Sequence, residues 1–69
     1  MSDHTYKIIE IVGSSTSSSD DAVRNAVAKA SESVKNLRWV EVQQVRAHIE
    51  DNSIHHWQAV IKIGFTLED

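Results

Sequence analysis

The feature that most constrains the fold is a change of parity among the apolar residues at positions 37–50. Apolar side chains begin on even positions and resume on odd ones, as Val40 and Val42 and then Val45, Ala47 and Ile49. Side chains alternate between the two faces of a strand, so one extra residue in one strand of a pair produces such a change. We therefore predict one long strand with a β-bulge at Gln43 and Gln44.

Trp39 lies on the opposite face of this strand from Val40 and Val42, together with Glu41. Its large apolar surface is costly to leave in water, so a face that carries it is expected to be covered. The covering group is another subunit, a flat ligand, or both. The pattern alone leaves these alternatives open.

The length and the absence of cysteine limit how the chain is stabilised. The chain has 69 residues and no cysteine, and we predict a single domain spanning residues 1–69. A chain of this length buries only about 60% of the surface that its unfolded form exposes, so its own core is thin. Disulfides are excluded, which leaves oligomerisation or ligand binding as reinforcement. We expect oligomerisation.

The charge balance and the N-terminal sequence argue against two classes of partner. Seven basic and ten acidic residues give a formal charge of −3, which disfavours electrostatic binding to nucleic acids. The N-terminal residues show no basic stretch followed by an apolar one, and no apolar run approaches the roughly 20 residues of a membrane helix. We therefore expect a cytoplasmic protein that binds neither nucleic acid nor membrane.

The first half of the chain predicts a strand followed by a helix. Residues 5–12 are rich in β-branched side chains and end at Gly13, which we interpret as a turn. The Ser-rich residues 14–19 predict a loop that ends in a cap, with Ser18 and Asp21 at capping-box spacing. The helix is expected to begin near Asp20, to run for about four turns and to end before Asn36, a possible left-handed residue. Its apolar face comprises Val23, Val27, Ala30, Val34 and Leu37, with Ala22 and Ala26 beside them.

Residues 54–68 predict a last strand, since odd positions are apolar and even positions are mostly polar. The turn-forming residues 51–53 predict a three-residue hairpin loop before it. The resulting register, shifted once by the bulge, makes chemically matched cross-strand pairs. It places His48 opposite His56, Arg46 opposite Gln58, Glu41 opposite Lys62, and Trp39 opposite Gly64.

These elements predict an α+β fold of β-α-β-β order. A right-handed crossover through the helix makes the first two strands parallel in direction. The third strand is expected to lie between them, which gives a three-stranded antiparallel-type sheet of order 1-3-2 packed on one helix. Trp39 lies on the free face, where Gly64 opens a flat recess beside the indole.

Several stretches in this order resemble those of a known family. They are residues 10–13 (EIVG), 22–26 (AVRNA), 36–42 (NLRWVEV), 46–50 (RAHIE), Gln58 and 62–68 (KIGFTLE). They cover nearly the whole chain, and they resemble the dodecins. The resemblance implies a small subunit that assembles into a hollow homododecamer and binds flavin, as riboflavin, FMN or FAD, without catalytic turnover.

The resemblance also implies roles for individual residues. A Trp at the position of Trp39 stacks on the isoalloxazine ring, with two flavins between two such residues across a two-fold axis. A Gln at the position of Gln58 hydrogen-bonds the polar edge of the ring, and an Arg at the position of Arg46 is associated with the flavin tail or phosphate. Close stacking on Trp39 is expected to quench photoexcited flavin, which favours storage and photoprotection over redox catalysis.

Gly64 and His48, on the same face, complete the predicted cofactor-binding set. The chain departs from the family pattern at Thr66, where many members carry an Arg, and this disfavours strong phosphate binding. It also departs at Trp57, where a Tyr is frequent. Trp57 is expected to face the helix and is left out of the site.

The remaining polar residues predict no catalytic or metal site. His48, His55 and His56 lie close together in the predicted register, but no carboxylate or cysteine completes a convincing ligand set. The carboxylates near the hairpin turn and the C-terminus are expected to be solvated, and no nucleophile has a base beside it. The alternative function is a structural shell protein in which Trp39 is only a subunit contact.

Overall fold

The computed structural model of the chain describes residues 3–67. Strand β1 (Tyr6–Ser15) leads into helix α1 (Ser19–Ser31), which is followed by strands β2 (Leu37–Glu50) and β3 (Ser53–Thr66). The three strands form one sheet of order β1-β3-β2, in which β3 is antiparallel to both neighbours. The predicted β-α-β-β fold and strand order are confirmed. The predicted end of the last strand at residue 68 lies outside the described residues.

The bulge at Gln43 is present and sets the register of the long hairpin. Val42 pairs with Ile61 and Gln44 pairs with Val60, so Gln43 is the extra residue of β2. All four cross-strand pairs predicted from the sequence are therefore confirmed.

The predicted three-residue hairpin loop is wrong, although the register it gave is right. The turn has two residues, Asp51 and Asn52, with φ values of 52° and 62°, and Glu50 pairs with Ser53. Two successive left-handed residues suit a tight hairpin because they match the twist of the strands. A second irregularity, in which His55 is the extra residue of β3, restores the predicted register further along the hairpin.

A further bulge, which the sequence analysis missed, lies at Arg38. Leu37 pairs with Phe65 and Trp39 pairs with Gly64, so Arg38 has no partner position in β3. Leu37 packs against the core on the side of α1. Because the bulge reverses the alternation of faces, Trp39 lies on the opposite face of the sheet.

Helix α1 begins where its cap predicts and ends earlier than expected. The backbone N–H of Asp21 donates to Ser18 Oγ at 3.0 Å, which satisfies a free amide of the first turn. The helix ends at Ser31, so Val34 lies beyond it and Leu37 belongs to β2. Asn36 adopts the predicted left-handed conformation, with φ of 65°.

The core is built from small helix residues packed on the centre of the sheet. Alanines from α1 meet the odd positions of β3, and the fully buried members are Ala22, Ala26, Ala59, Ile61 and Ile63. The helix covers mainly β1 and β3. The helix-side residues of β2 that it leaves partly exposed are Val40, Val42, Val45 and Ile49.

Gly13 is a packing residue, and its predicted role as a turn is wrong. It pairs with Ala59 inside β1, which continues to Ser15. A Cβ atom built on Gly13 would overlap the carbonyl oxygen of Ala22 and would lie 2.7 Å from the Cβ of Ala26. The absent side chain therefore lets α1 approach the sheet.

Within residues 3–67, no helix is long and apolar enough to span a bilayer.

Candidate functional site

The sheet face that points away from α1, here called the outer face, carries every residue of the predicted site. Even positions of β3 point to this face because the odd positions are in the core. Their cross-strand partners in β2 include Trp39, Arg46 and His48. The face is thus shared by a large aromatic residue and a polar group of residues.

The indole of Trp39 packs against Gly64. A Cβ atom built on Gly64 would overlap Cζ2 and Cε2 of the indole and would lie 2.5 Å from Cη2, so the six-membered ring covers the glycine. The flat recess predicted at Gly64 is therefore filled by the indole itself. Trp39 remains 41% exposed, which leaves indole surface available to a ligand or a second chain.

Tyr6 braces the indole from the other edge strand, and the sequence analysis missed it. The two ring centroids are 5.1 Å apart with an interplanar angle of 64°, which is an edge-to-face contact. Tyr6 pairs with Thr66, two residues beyond Gly64 in β3. Tyr6 and Ile8 share one face of β1, and Ile8 pairs with Gly64, so Tyr6 lies on the outer face beside the indole.

A polar cluster occupies the far part of the outer face. The guanidinium of Arg46 donates from Nε to Gln58 Oε1 at 2.6 Å and from Nη1 to Gln44 Oε1 at 3.4 Å. Gln58 is half-buried and lies directly opposite Arg46, as predicted. Gln44 joins them because the bulge at Gln43 turns it to the outer face.

Three histidines continue this cluster toward the hairpin turn. His56 Nε2 lies 3.4 Å from Gln58 Nε2, and the Nδ1 atoms of His55 and His56 are 2.7 Å apart. His48 stacks on His56 with a centroid distance of 4.9 Å and lies 3.3 Å from Glu50. Within the described residues 3–67, no group of three His, Cys, Asp or Glu side chains is placed to hold a metal ion.

Trp57 belongs neither to the contact between Trp39 and Gly64 nor to the polar cluster around Arg46. It is half-buried and pairs with Ser15 on one side and Ala47 on the other.

The predicted site residues form two separate groups within one chain. Trp39 and Gly64 lie at one end of β3, whereas Gln58, Arg46 and His48 lie further toward the hairpin. The stretch of strand from residue 58 to residue 64 rises about 20 Å. Between the groups, three charged residues lie side by side across the sheet. In the strand register, Lys62 is opposite Glu10 of β1 and Glu41 of β2. Trp39 and Gln58 of one chain therefore lie far apart along the outer face.

A comparison with known protein families identifies the family of this chain. The dodecin family model matches residues 5–68 of the chain. The protein belongs to the dodecin family. The dodecin of Thermus thermophilus is 34% identical over 64 residues, which cover 93% of each chain.

Solved dodecin structures share the whole fold. The dodecin of Streptomyces coelicolor is 52% identical, with a TM-score of 0.94, over 100% of this chain and 99% of that chain. A dodecin from Mycobacterium tuberculosis, described as calcium chelating with a novel calcium-binding site, is 25% identical. Its TM-score is 0.82, over 93% of this chain and 91% of that chain.

Proposed function

We propose that this dodecin binds flavin, as riboflavin, FMN or FAD, and stores it without catalysing a reaction. The observation that carries the proposal is the indole of Trp39, which lies on Gly64, contacts Tyr6 and remains 41% exposed. A held indole offers a flat surface to a planar ring. Aromatic stacking contributes about 0.5–1.5 kcal/mol beyond the burial of area, so Trp39 suits an isoalloxazine ring.

The polar edge of the ring needs hydrogen-bonding partners, and Gln58 supplies them in this proposal. Its amide carries both a donor and an acceptor, and it lies on the outer face beside Arg46. Arg46, His48 and Gly64 remain proposed members of the site. Gly64 acts there by seating the indole, since Trp39 covers it.

We further propose that each flavin lies between subunits of a homododecamer. Gly64, the partner of Trp39, and Gln58 are separated by about 20 Å along β3, which favours a ring that contacts Trp39 of one chain and Gln58 of another. Two flavins between two Trp39 residues across a two-fold axis meet this requirement. Assembly would also cover the partly exposed apolar residues of β2, such as Val42 and Val45.

The stacked geometry favours a protective role for bound flavin. An indole in contact with a photoexcited flavin can donate an electron to it, which quenches the excited state. The proposed role is therefore sequestration and photoprotection in the cytoplasm, with neither nucleic acid nor membrane as a partner.

A structural shell protein is the second candidate function. Tyr6, Ile8 and Val12 are each about half-exposed on the same face as Trp39, which gives that face enough apolar surface for a protein interface. In this case Trp39 is a subunit contact, and Trp39→Ala dissociates the oligomer whether or not flavin is present. Light scattering with and without riboflavin distinguishes the two functions.

The ligand that co-purifies with the native oligomer tests the proposal. We expect a visible absorption spectrum typical of flavin and a released ligand with the mass of riboflavin, FMN or FAD. A colourless protein that also takes up no added flavin would contradict flavin binding.

A further inference from the structure

We infer that Arg46 is a positioning residue, which fixes the side-chain amide of Gln58 so that its N–H group is offered to the ring. The inference rests on the proposed flavin binding. It assigns Arg46 a role in recognising the ring, in contrast to the contact with the flavin tail or phosphate that the family resemblance implies. The two roles predict different effects on flavins with and without a phosphate.

The contact between Arg46 and Gln58 determines which way the amide points. A guanidinium carries five N–H donors and no acceptor, so the atom that it contacts at 2.6 Å must be the carbonyl oxygen of Gln58. The donor is charged, which makes this hydrogen bond stronger than one between neutral groups. Oε1 is thus engaged by Arg46, and the Nε2 group is turned away from it.

The histidine beside Gln58 fits the same orientation. Gln58 Nε2 lies 3.4 Å from His56 Nε2, and His56 Nδ1 lies 2.7 Å from His55 Nδ1. When the ring hydrogen of His56 is on Nδ1, its Nε2 accepts from Gln58, which is compatible with the orientation set by Arg46. Nε2 carries two hydrogens, and the second one is available for a ligand acceptor such as a ring carbonyl oxygen.

Arg46 is itself held on two sides. Nη1 donates to Gln44 Oε1 at 3.4 Å while Nε donates to Gln58. Gln44 reaches this side only because Gln43 is the bulged residue of β2. The planar fork of an arginine can make both contacts at once, whereas a lysine ammonium lacks this geometry.

The test compares the dissociation constants of riboflavin, which has no phosphate, and FMN, which has one. Arg46→Met should weaken both by a similar factor of about tenfold, because both need the oriented amide. Lys29→Met, which also replaces an exposed helix cation by Met, is the control and should leave both unchanged. Weakened binding of FMN alone would overturn the inference, because that pattern identifies a phosphate anchor.

Arg46→Lys keeps the positive charge, so it controls for a loss of folding caused by removing that charge. An oriented amide requires the arginine fork, so this variant should also weaken riboflavin and FMN together. Unchanged binding of both flavins by Arg46→Lys would overturn the inference. Light scattering on the same samples confirms that each variant keeps its assembly.

A double-mutant comparison shows whether Arg46 acts through Gln58. In a Gln58→Ala background, Arg46→Met should cause no further loss of riboflavin affinity, since the group it orients is gone. A second loss of about tenfold there would overturn the inference. Absence of riboflavin and FMN binding by the unaltered protein is a separate outcome, which would overturn the proposed function and this inference with it.

Discussion

The six-membered ring of Trp39 covers Gly64, its cross-strand partner on β3. The contact depends on the missing side chain, since a Cβ atom at Gly64 would overlap atoms of the indole. It also depends on the bulge at Arg38, which turns Trp39 to the outer face while Leu37 packs against the core. A glycine and a bulge together therefore hold one aromatic surface outward.

Gly64→Ala tests whether the contact between Gly64 and the indole of Trp39 positions the indole for flavin binding. The new methyl group should displace the ring and weaken riboflavin binding by about tenfold or more, in line with the cost of overpacking. Fluorescence titration with riboflavin measures the effect, and circular dichroism with light scattering verifies the fold and the assembly. Wild-type affinity in a correctly assembled variant would show that the contact between Gly64 and Trp39 does not contribute to riboflavin binding.

Tyr6 should contribute through its ring edge and not through its hydroxyl group. Tyr6→Phe keeps the edge-to-face contact with Trp39 and should bind riboflavin as the unaltered protein does. Tyr6→Ala removes the contact and should weaken binding by about two- to tenfold, the equivalent of an aromatic pair. Equal affinities for the two variants, measured by the same titration, would contradict this role.

Gly13→Ala should destabilise the subunit. The added methyl group meets the carbonyl oxygen of Ala22 and lies 2.7 Å from the Cβ of Ala26, so α1 must move away from the sheet. We expect a loss of about 1–3 kcal/mol in the free energy of unfolding. Urea unfolding at one fixed chain concentration measures it, with the exposed neighbour Ser14→Ala as control. A loss no greater than that of the control would contradict the packing role.

The apolar residues of β2 that α1 leaves exposed should form a subunit contact. Val42 is 48% exposed, and a carboxylate placed there would lose its hydration on assembly. Val42→Asp should therefore give particles of lower mass by light scattering. Lys29→Asp, at an exposed helix residue, should keep the native mass. Native mass for Val42→Asp would exclude this surface from the assembly.

The pairing of β2 with β3 could be predicted from the sequence because the alternation of apolar residues shows which side chains share a face of the sheet. The switch from Val42 to Val45 located the bulge, and the alternation of β3 then placed Trp39 opposite Gly64. The bulge at Arg38 left no such record, since only Leu37 precedes it in the strand. Leu37 also continued the helical spacing, so it was counted on the apolar face of the helix as well as in the strand, and the structure places it in β2 alone.

Side-chain geometry accounts for the other differences. Gly13 follows a β-rich stretch and precedes serines, which is typical of a turn, whereas its close approach to Ala22 and Ala26 is a tertiary property. Tyr6 escaped notice because β1 has apolar residues at both parities, which hides its buried face. The orientation of the Gln58 amide depends on Arg46 Nε, and no spacing rule predicts it.

Riboflavin titration of the protein and of Trp39→Ala, with the particle mass measured on the same samples, tests the central claim most directly. The account predicts that the unaltered protein quenches riboflavin fluorescence on binding. It predicts that Trp39→Ala largely loses both binding and quenching while its particle mass stays the same. Undiminished riboflavin binding by Trp39→Ala would contradict the assignment of Trp39 as the flavin platform.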